Sequence, residues 1–388
     1  MTYARPSKFS SVFLVPCGLA AMMAASGCSD DAEGDGDGAQ TETGTASDSG
    51  GTEVSADETG TGEQSTGPTG GSSDDGQSTG EPVGVECIND QFVNGASPGP
   101  DYSEFGLTIG SHCQGTNHQD ITDIERVVFV GDSVTVGTPP TGPTGFYRSI
   151  VADELATMFG LEPPEDIWQQ VDILGGTSSV QQSGDFASCA VWGARNDDLL
   201  GQLDDCFATE DFDQRTLVVM TMGGNDVSSI AQDAIDGVPI NTLFEDLETM
   251  VAHHEEAMDW MVGDPGTFPN GIFVVNANVY EYTDYTLDVL SCPSAGLAGF
   301  DANPKTPDVL LGSLNLINEE YARISEQTGT DMVFMFESFC GHGFHADDPN
   351  NVCYRGPGSA NWFDFTCIHP TPVGHGALAQ SFIDVIAE

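Results

Sequence analysis

The sequence predicts an α/β domain built on a parallel sheet, and three observations carry that prediction. Short apolar, β-branched runs alternate with helical patterns from residue 126 to the end of the chain. The first run, Arg126-Val127-Val128-Phe129-Val130, stops at a glycine turn, Gly131-Asp132-Ser133, and in an open α/β sheet ligands bind outside the carboxyl ends of the strands. Residues 87 to 388 supply 302 residues, enough for one large domain of this class with long loops.

The chain opens with Arg5 and Lys8, the apolar stretch from Phe9 to Ala25, and then Ser26-Gly27-Cys28. This is the pattern of a secretory signal peptide over residues 1–27. Its apolar part falls short of the roughly 20 residues a spanning helix needs, and Pro16 and Gly18 interrupt it. Small residues directly before Cys28 resemble the bacterial lipobox. That resemblance implies cleavage before Cys28, lipidation of that cysteine and attachment to a membrane; Ser29 after it points to the outer membrane or cell surface. Residues 29 to 86 hold 15 Asp and Glu, no Lys or Arg, and almost no large apolar side chain. Such a stretch cannot bury enough surface to fold, so residues 28–86 are expected to be a disordered acidic tether.

The whole chain carries a formal charge of −52. Residues 87 to 388 keep 46 acids against 7 bases, a net of about −39, which excludes nucleic acid as a partner. Eight cysteines follow the tether: Cys87, Cys113, Cys189, Cys206, Cys292, Cys340, Cys353 and Cys367. An even number in an exported domain predicts up to four disulfides. Neighbour pairing would join Cys87 to Cys113, Cys189 to Cys206, Cys292 to Cys340 and Cys353 to Cys367. No pair has the Cys-x-x-Cys spacing of a zinc ribbon, so no structural metal is expected. Residues 87–124 form a cysteine-containing extension before the main domain, 125–388.

Within that domain, helical spacing runs from Phe146 to Phe159, and Val171-Asp172-Ile173-Leu174 reads as the second strand. A short amphipathic helix is expected over 194–204. Thr216 to Thr221 forms a third strand, ending at Gly223-Gly224. Residues 240–262 are a long helix, Gly271 to Asn276 a fourth strand, 307–327 a helix, Met332 to Phe336 a fifth strand, and 372–387 the last helix. This alternation implies right-handed crossovers and a parallel sheet. The loops 137–145, 279–306 and 338–362 are long, and loops of that length in a compact domain usually carry function or disulfides.

Four short pieces fall where acyl transfer would need them. Ser133 leaves the first strand; Gly193, in Trp192-Gly193-Ala194-Arg195, can bring a backbone N–H close to a ligand. Asn225, in Gly223-Gly224-Asn225-Asp226, follows the third strand, and His369-Pro370 precedes the last helix. A nucleophile, a base and oriented oxyanion donors are what such a site requires.

On these stretches, Val130-Gly131-Asp132-Ser133-Val134, Gly193-Ala194, Gly223-Gly224-Asn225-Asp226 and His369-Pro370, the chain resembles the SGNH (GDSL) hydrolase superfamily over about residues 125–388. The resemblance implies a flavodoxin-like three-layer α/β/α fold with a five-stranded parallel sheet, and esterase activity through an acyl-enzyme without a cofactor. It makes Ser133 the nucleophile and His369 the general base. The Ser133 N–H, the Gly193 N–H and the Asn225 side chain form the oxyanion hole, and Asp132 and Asp226 hold loops. The family carries Asp three residues before the histidine, where this chain has Thr366. The group that orients His369 is then either Asp364, the preferred candidate, or a backbone carbonyl near Thr366.

His375 sits in the last helix and is expected to pack. His253 and His254 are expected on a solvated helix face. His342, His345, Asp347 and Asp348 match no metal motif, and no metal is assigned. Trp192, Tyr280, Tyr282 and Trp362 are candidates to line the acyl or sugar site. The substrate expected is a lipid acyl ester or an acylated glycan, and the chain is expected to be a monomer. The rival expectation is a catalytically silent surface binding lipoprotein on the same fold.

Overall fold

In the computed structural model, a central sheet is set by five parallel strands: β1 (Arg126–Gly131), β2 (Phe186–Ser188), β3 (Thr216–Thr221), β4 (Ile272–Ala277) and β5 (Asp331–Val333). The structure describes residues 86–95, 98–208 and 211–388. The signal peptide expected over 1–27, the lipidated Cys28 and the tether up to residue 85 lie outside the described residues. The strand order is β2-β1-β3-β4-β5, the flavodoxin-like order. A two-residue strand, Gln182–Ser183, adds an antiparallel edge beside β2, so the sheet has six strands, five of them parallel.

Every residue of β1 and β3 is buried. Their side chains alternate between two cores, as the two-residue period of a strand covered on both faces requires. Val128, Val130, Val218 and Met220 face one layer, against α2 (Leu199–Cys206), α4 (Ile240–Val262) and α5 (Pro307–Thr328). Val127, Phe129, Leu217 and Val219 face the other, against α1 (Tyr147–Phe159) and α6 (Pro372–Ala387). Each such side chain contributes roughly 1.5–3 kcal/mol by leaving water. The remaining long helix, α3 (Gly224–Asp236), begins three residues after β3.

Parallel register brings the carboxyl ends into line. Gly131 pairs with Thr221, Thr221 with Ala277, and Ala277 with Val333. Whatever follows β1, β3 and β4 therefore meets at one edge.

Several expectations are corrected. Val171–Asp172 is not in the central sheet; it pairs with Thr177–Ser178 as a small antiparallel hairpin, with Leu174 fully exposed at its tip. The second strand is Phe186–Ser188, which has no β-branched residue to announce it. The fifth strand ends at Val333, and Met335–Phe339 is helical. Helix α3 is not among the expected elements, its first residues Gly224-Asn225-Asp226 being turn formers that hide its start. Two disulfides follow the neighbour rule, Cys87–Cys113 and Cys189–Cys206, and two do not: Cys292 pairs with Cys367, and Cys340 with Cys353. His254 is buried against the Tyr321 ring, not solvated.

Candidate active site

The turn after β1 begins at Gly131, whose φ is +138°. A Cβ there would lie 2.2 Å from the Thr221 carbonyl oxygen and 2.7 Å from Thr135 Oγ1. Without one, β1 and β3 stay close enough for the Asp132 N–H to donate to that carbonyl at 3.1 Å. The Gln202 side-chain amide grips Gly131 from α2, accepting from its N–H at 2.7 Å and donating to its carbonyl at 2.9 Å. Asp132 then caps the helical turn Ser133–Val136, its Oδ1 accepting from the Val134 N–H at 2.9 Å and from Thr221 Oγ1 at 3.2 Å. Burial raises this carboxyl to about 7. Ser133 is the first residue of the turn, so its own N–H has no intrahelical acceptor.

The histidine arrives from the far end of the chain. Phe363 and Pro370 form an antiparallel bridge, and the Asp364 N–H donates to the His369 carbonyl at 2.9 Å. Two ties hold the turn between them: the Cys292–Cys367 disulfide, and Tyr280, whose hydroxyl donates to the Ile368 carbonyl at 2.5 Å. Ser133 Oγ lies 2.8 Å from His369 Nε2. Burial lowers the imidazole to about 4, so it is neutral near pH 7 and its lone pair is free to take a proton.

Behind the ring, the expected contact with Asp364 is absent. His369 Nδ1 lies 2.7 Å from Thr366 Oγ1, and Thr366 Oγ1 donates to Asp364 Oδ1 at 2.5 Å. Asp364 thus reaches the histidine through a hydroxyl, and no backbone carbonyl takes that place. The donor and acceptor inventory offered a signal, since a threonine hydroxyl can accept from Nδ1–H while donating elsewhere.

The other candidate donors stand on neighbouring loops. Ala194 N–H closes a turn onto Val191 O at 3.1 Å with Gly193 third in the turn at φ +76°, a position that favours glycine. Val191 N–H in turn bonds Gly131 O at 3.1 Å, which ties this loop to the start of the Ser133 turn. Asn225, in the first turn of α3, donates one Nδ2 proton to Ala194 O at 2.9 Å and keeps the other. Asp226 accepts from the backbone and side chain of Asn196, both at 3.2 Å, and burial raises it to about 6. Asp132 and Asp226 therefore do hold loops.

Ser133, Asn225 and His369 open onto a small cavity of about 70 Å³, walled by Met222, Val279 and Met335 among others. That is far below the roughly 300–1,000 Å³ of a site enclosing a drug-sized ligand. Tyr280 and Tyr282 line it; Trp192 and Trp362 do not. Trp192 Nε1 donates to Gly137 O, and Trp362 lies flat on His342. His375 packs against Phe146 and Tyr147, and its Nδ1 accepts from the Tyr147 N–H at 3.2 Å. Among the described residues, His342, His345, Asp347 and Asp348 do not converge on a metal-holding geometry.

The family model described as GDSL-like Lipase/Acylhydrolase matches residues 127–382. No curated protein matches the chain. Solved structures similar to it include an extracellular lipase from Streptomyces rimosus, at 17% identity and a TM-score of 0.41, covering 67% of this chain and 99% of the lipase. A GDSL-like lipase from Parabacteroides merdae matches at 14% and 0.39, covering 70% of this chain and 99% of its own. A two-domain esterase active on acetylated mannans matches at 14% and 0.38, covering 68% of this chain and 51% of its own.

The close approach at Gly131 has a measurable consequence. Gly131→Ala is expected to cost roughly 2–4 kcal/mol, the strain of its φ added to the clash with Thr221. Urea unfolding checks it, and a loss under about 0.5 kcal/mol would show that the two strands have room to part.

Proposed function

The chain belongs to the GDSL-like lipase/acylhydrolase family, and on that premise we propose that it is a serine esterase removing short acyl groups, acetyl foremost, through an acyl-enzyme. The observation that carries this reading is the 2.8 Å pairing of Ser133 Oγ with the neutral His369 at the mouth of the small cavity. Ser133 Oγ attacks the ester carbonyl while His369 Nε2 takes its proton. The developing oxyanion is held by the Ser133 and Gly193 N–H groups and the spare Nδ2 proton of Asn225. Collapse expels the alcohol, which leaves with the proton from His369, and water repeats the sequence to free the acid. A cavity of this size accepts an acetyl group and leaves the alcohol outside, in keeping with an acylated glycan more than a long-chain lipid ester.

The N-terminal pattern supports export, lipidation at Cys28 and an acidic tether over 28–86 that carries domain 125–388, with its extension 87–124, at a bacterial envelope surface.

Three outcomes are expected. A fluorophosphonate probe labels Ser133, and p-nitrophenyl acetate is turned over with a kcat/KM at least roughly 100-fold above the octanoate. Without labelling of the folded chain, a binding protein on the same fold is the better reading. Next, kcat/KM stays level from pH 7 down to about 5 and falls as His369 gains its proton near pH 4; an acidic limb at 6.5 would contradict the buried, neutral ring. Finally, processing of the precursor is blocked by globomycin and the mature chain takes up labelled palmitate, whereas a soluble unlabelled product would remove the anchor.

A further inference from the structure

Thr366 occupies the position where the family carries its acid, and its surroundings settle what a hydroxyl does there. Oγ1 has one proton and two lone pairs. It lies 2.5 Å from Asp364 Oδ1, an oxygen that also accepts the Thr366 N–H at 2.8 Å. A carboxylate oxygen that close draws the single hydroxyl proton. Oγ1 therefore turns a lone pair to His369 Nδ1, 2.7 Å away, and Nδ1 must be the ring nitrogen that carries hydrogen. Nε2 is left bare, facing the Ser133 hydroxyl.

We propose that Thr366 is the positioning residue that sets the tautomer of His369, with Asp364 acting through it by aiming the Thr366 hydroxyl away from the ring. This rests on the esterase reading above. During attack, the Ser133 proton moves to Nε2 and later to the departing alcohol; Nδ1–H stays on the ring, and the protons of Thr366 do not move. The neutral acceptor stabilises the imidazolium less than a carboxylate in direct contact, because charge-assisted hydrogen bonds are about twice as strong. The opposing possibility is that Thr366 merely closes the turn. Its N–H bond to Asp364 is an Asx-turn that valine would keep, so a side-chain role is separable from a turn role.

The test uses the full chain with p-nitrophenyl acetate. Thr366→Val removes the acceptor for Nδ1–H but leaves the Asx-turn donor; kcat is expected to fall on the order of 10²-fold with KM within about threefold. Thr366→Ser restores kcat to within about fivefold of wild type. A fall of less than tenfold in a Thr366→Val chain with a cooperative melt, or a Thr366→Ser chain as impaired as Thr366→Val, overturns the proposal. Should Thr366→Val not fold, Thr366→Asp decides. It sets a carboxylate directly on Nδ1, and the acidic limb of kcat/KM moves up by at least one pH unit, while a limb that stays put overturns the proposal. Asp364 behind residue 366, His375 on α6, and Asp132 and Glu281 on the cavity wall are unchanged in that comparison. Ser133→Ala separates the two layers of the argument: activity surviving there sinks the esterase reading, whereas activity lost there but intact in Thr366→Val sinks only the role given to Thr366.

Discussion

The candidate site depends on how closely β1 and β3 approach at their carboxyl ends. Only a residue without a side chain lets Asp132 N–H reach the Thr221 carbonyl, and the rest follows from that contact. Asp132 falls into place as a cap, the cap starts the turn that presents Ser133, and the Thr221 hydroxyl completes the hold on its carboxyl. Gln202 grips the same glycine from the opposite side, so α2, β1 and β3 share one junction. A displacement of an ångström there would carry Ser133 off its partner.

Burial also arranges charge. A domain with so large an acidic excess keeps its site histidine uncharged, because burial disfavours the charged form of the ring. The same burial raises Asp132 and Asp226, which therefore hold protons that an unfolded chain would release. Their contribution to stability is present at low pH and lost as pH rises toward 7. His254, lowered to about 3, works in the other direction, favouring the fold above about 6.5 and losing that contribution as pH falls. The two sets oppose one another across the acid range.

How much of this is legible in the sequence depends on how local its cause is. β1, β3 and β4 announce themselves because they are covered on both faces and read as unbroken apolar runs, and α4 and α6 because their helical period is long. β2 does not: Phe186-Ala187-Ser188 is short and small, while Val171 to Leu174 has better strand composition but ends at a wholly exposed tip. Ser133, Gly193, Asn225 and His369 can be picked out by their order along the chain, and the structure gathers Ser133, Asn225 and His369 around one cavity. Thr366 is not legible as the partner of the histidine because that position reads as a place for a negative charge, whereas the geometry needs only an acceptor whose own proton is engaged elsewhere. The Cys292–Cys367 link escapes neighbour pairing since it joins segments 75 residues apart that the fold brings together.

Ser133 and His369 are separated by 236 residues of chain. At the roughly 5–20 residues per second of synthesis, the serine emerges on the order of 10–50 seconds before the histidine exists. Through that interval its hydroxyl has no base beside it. On the esterase reading, reactivity therefore cannot build up as the domain is made: it waits for the turn that carries His369, just before the final helix in the chain.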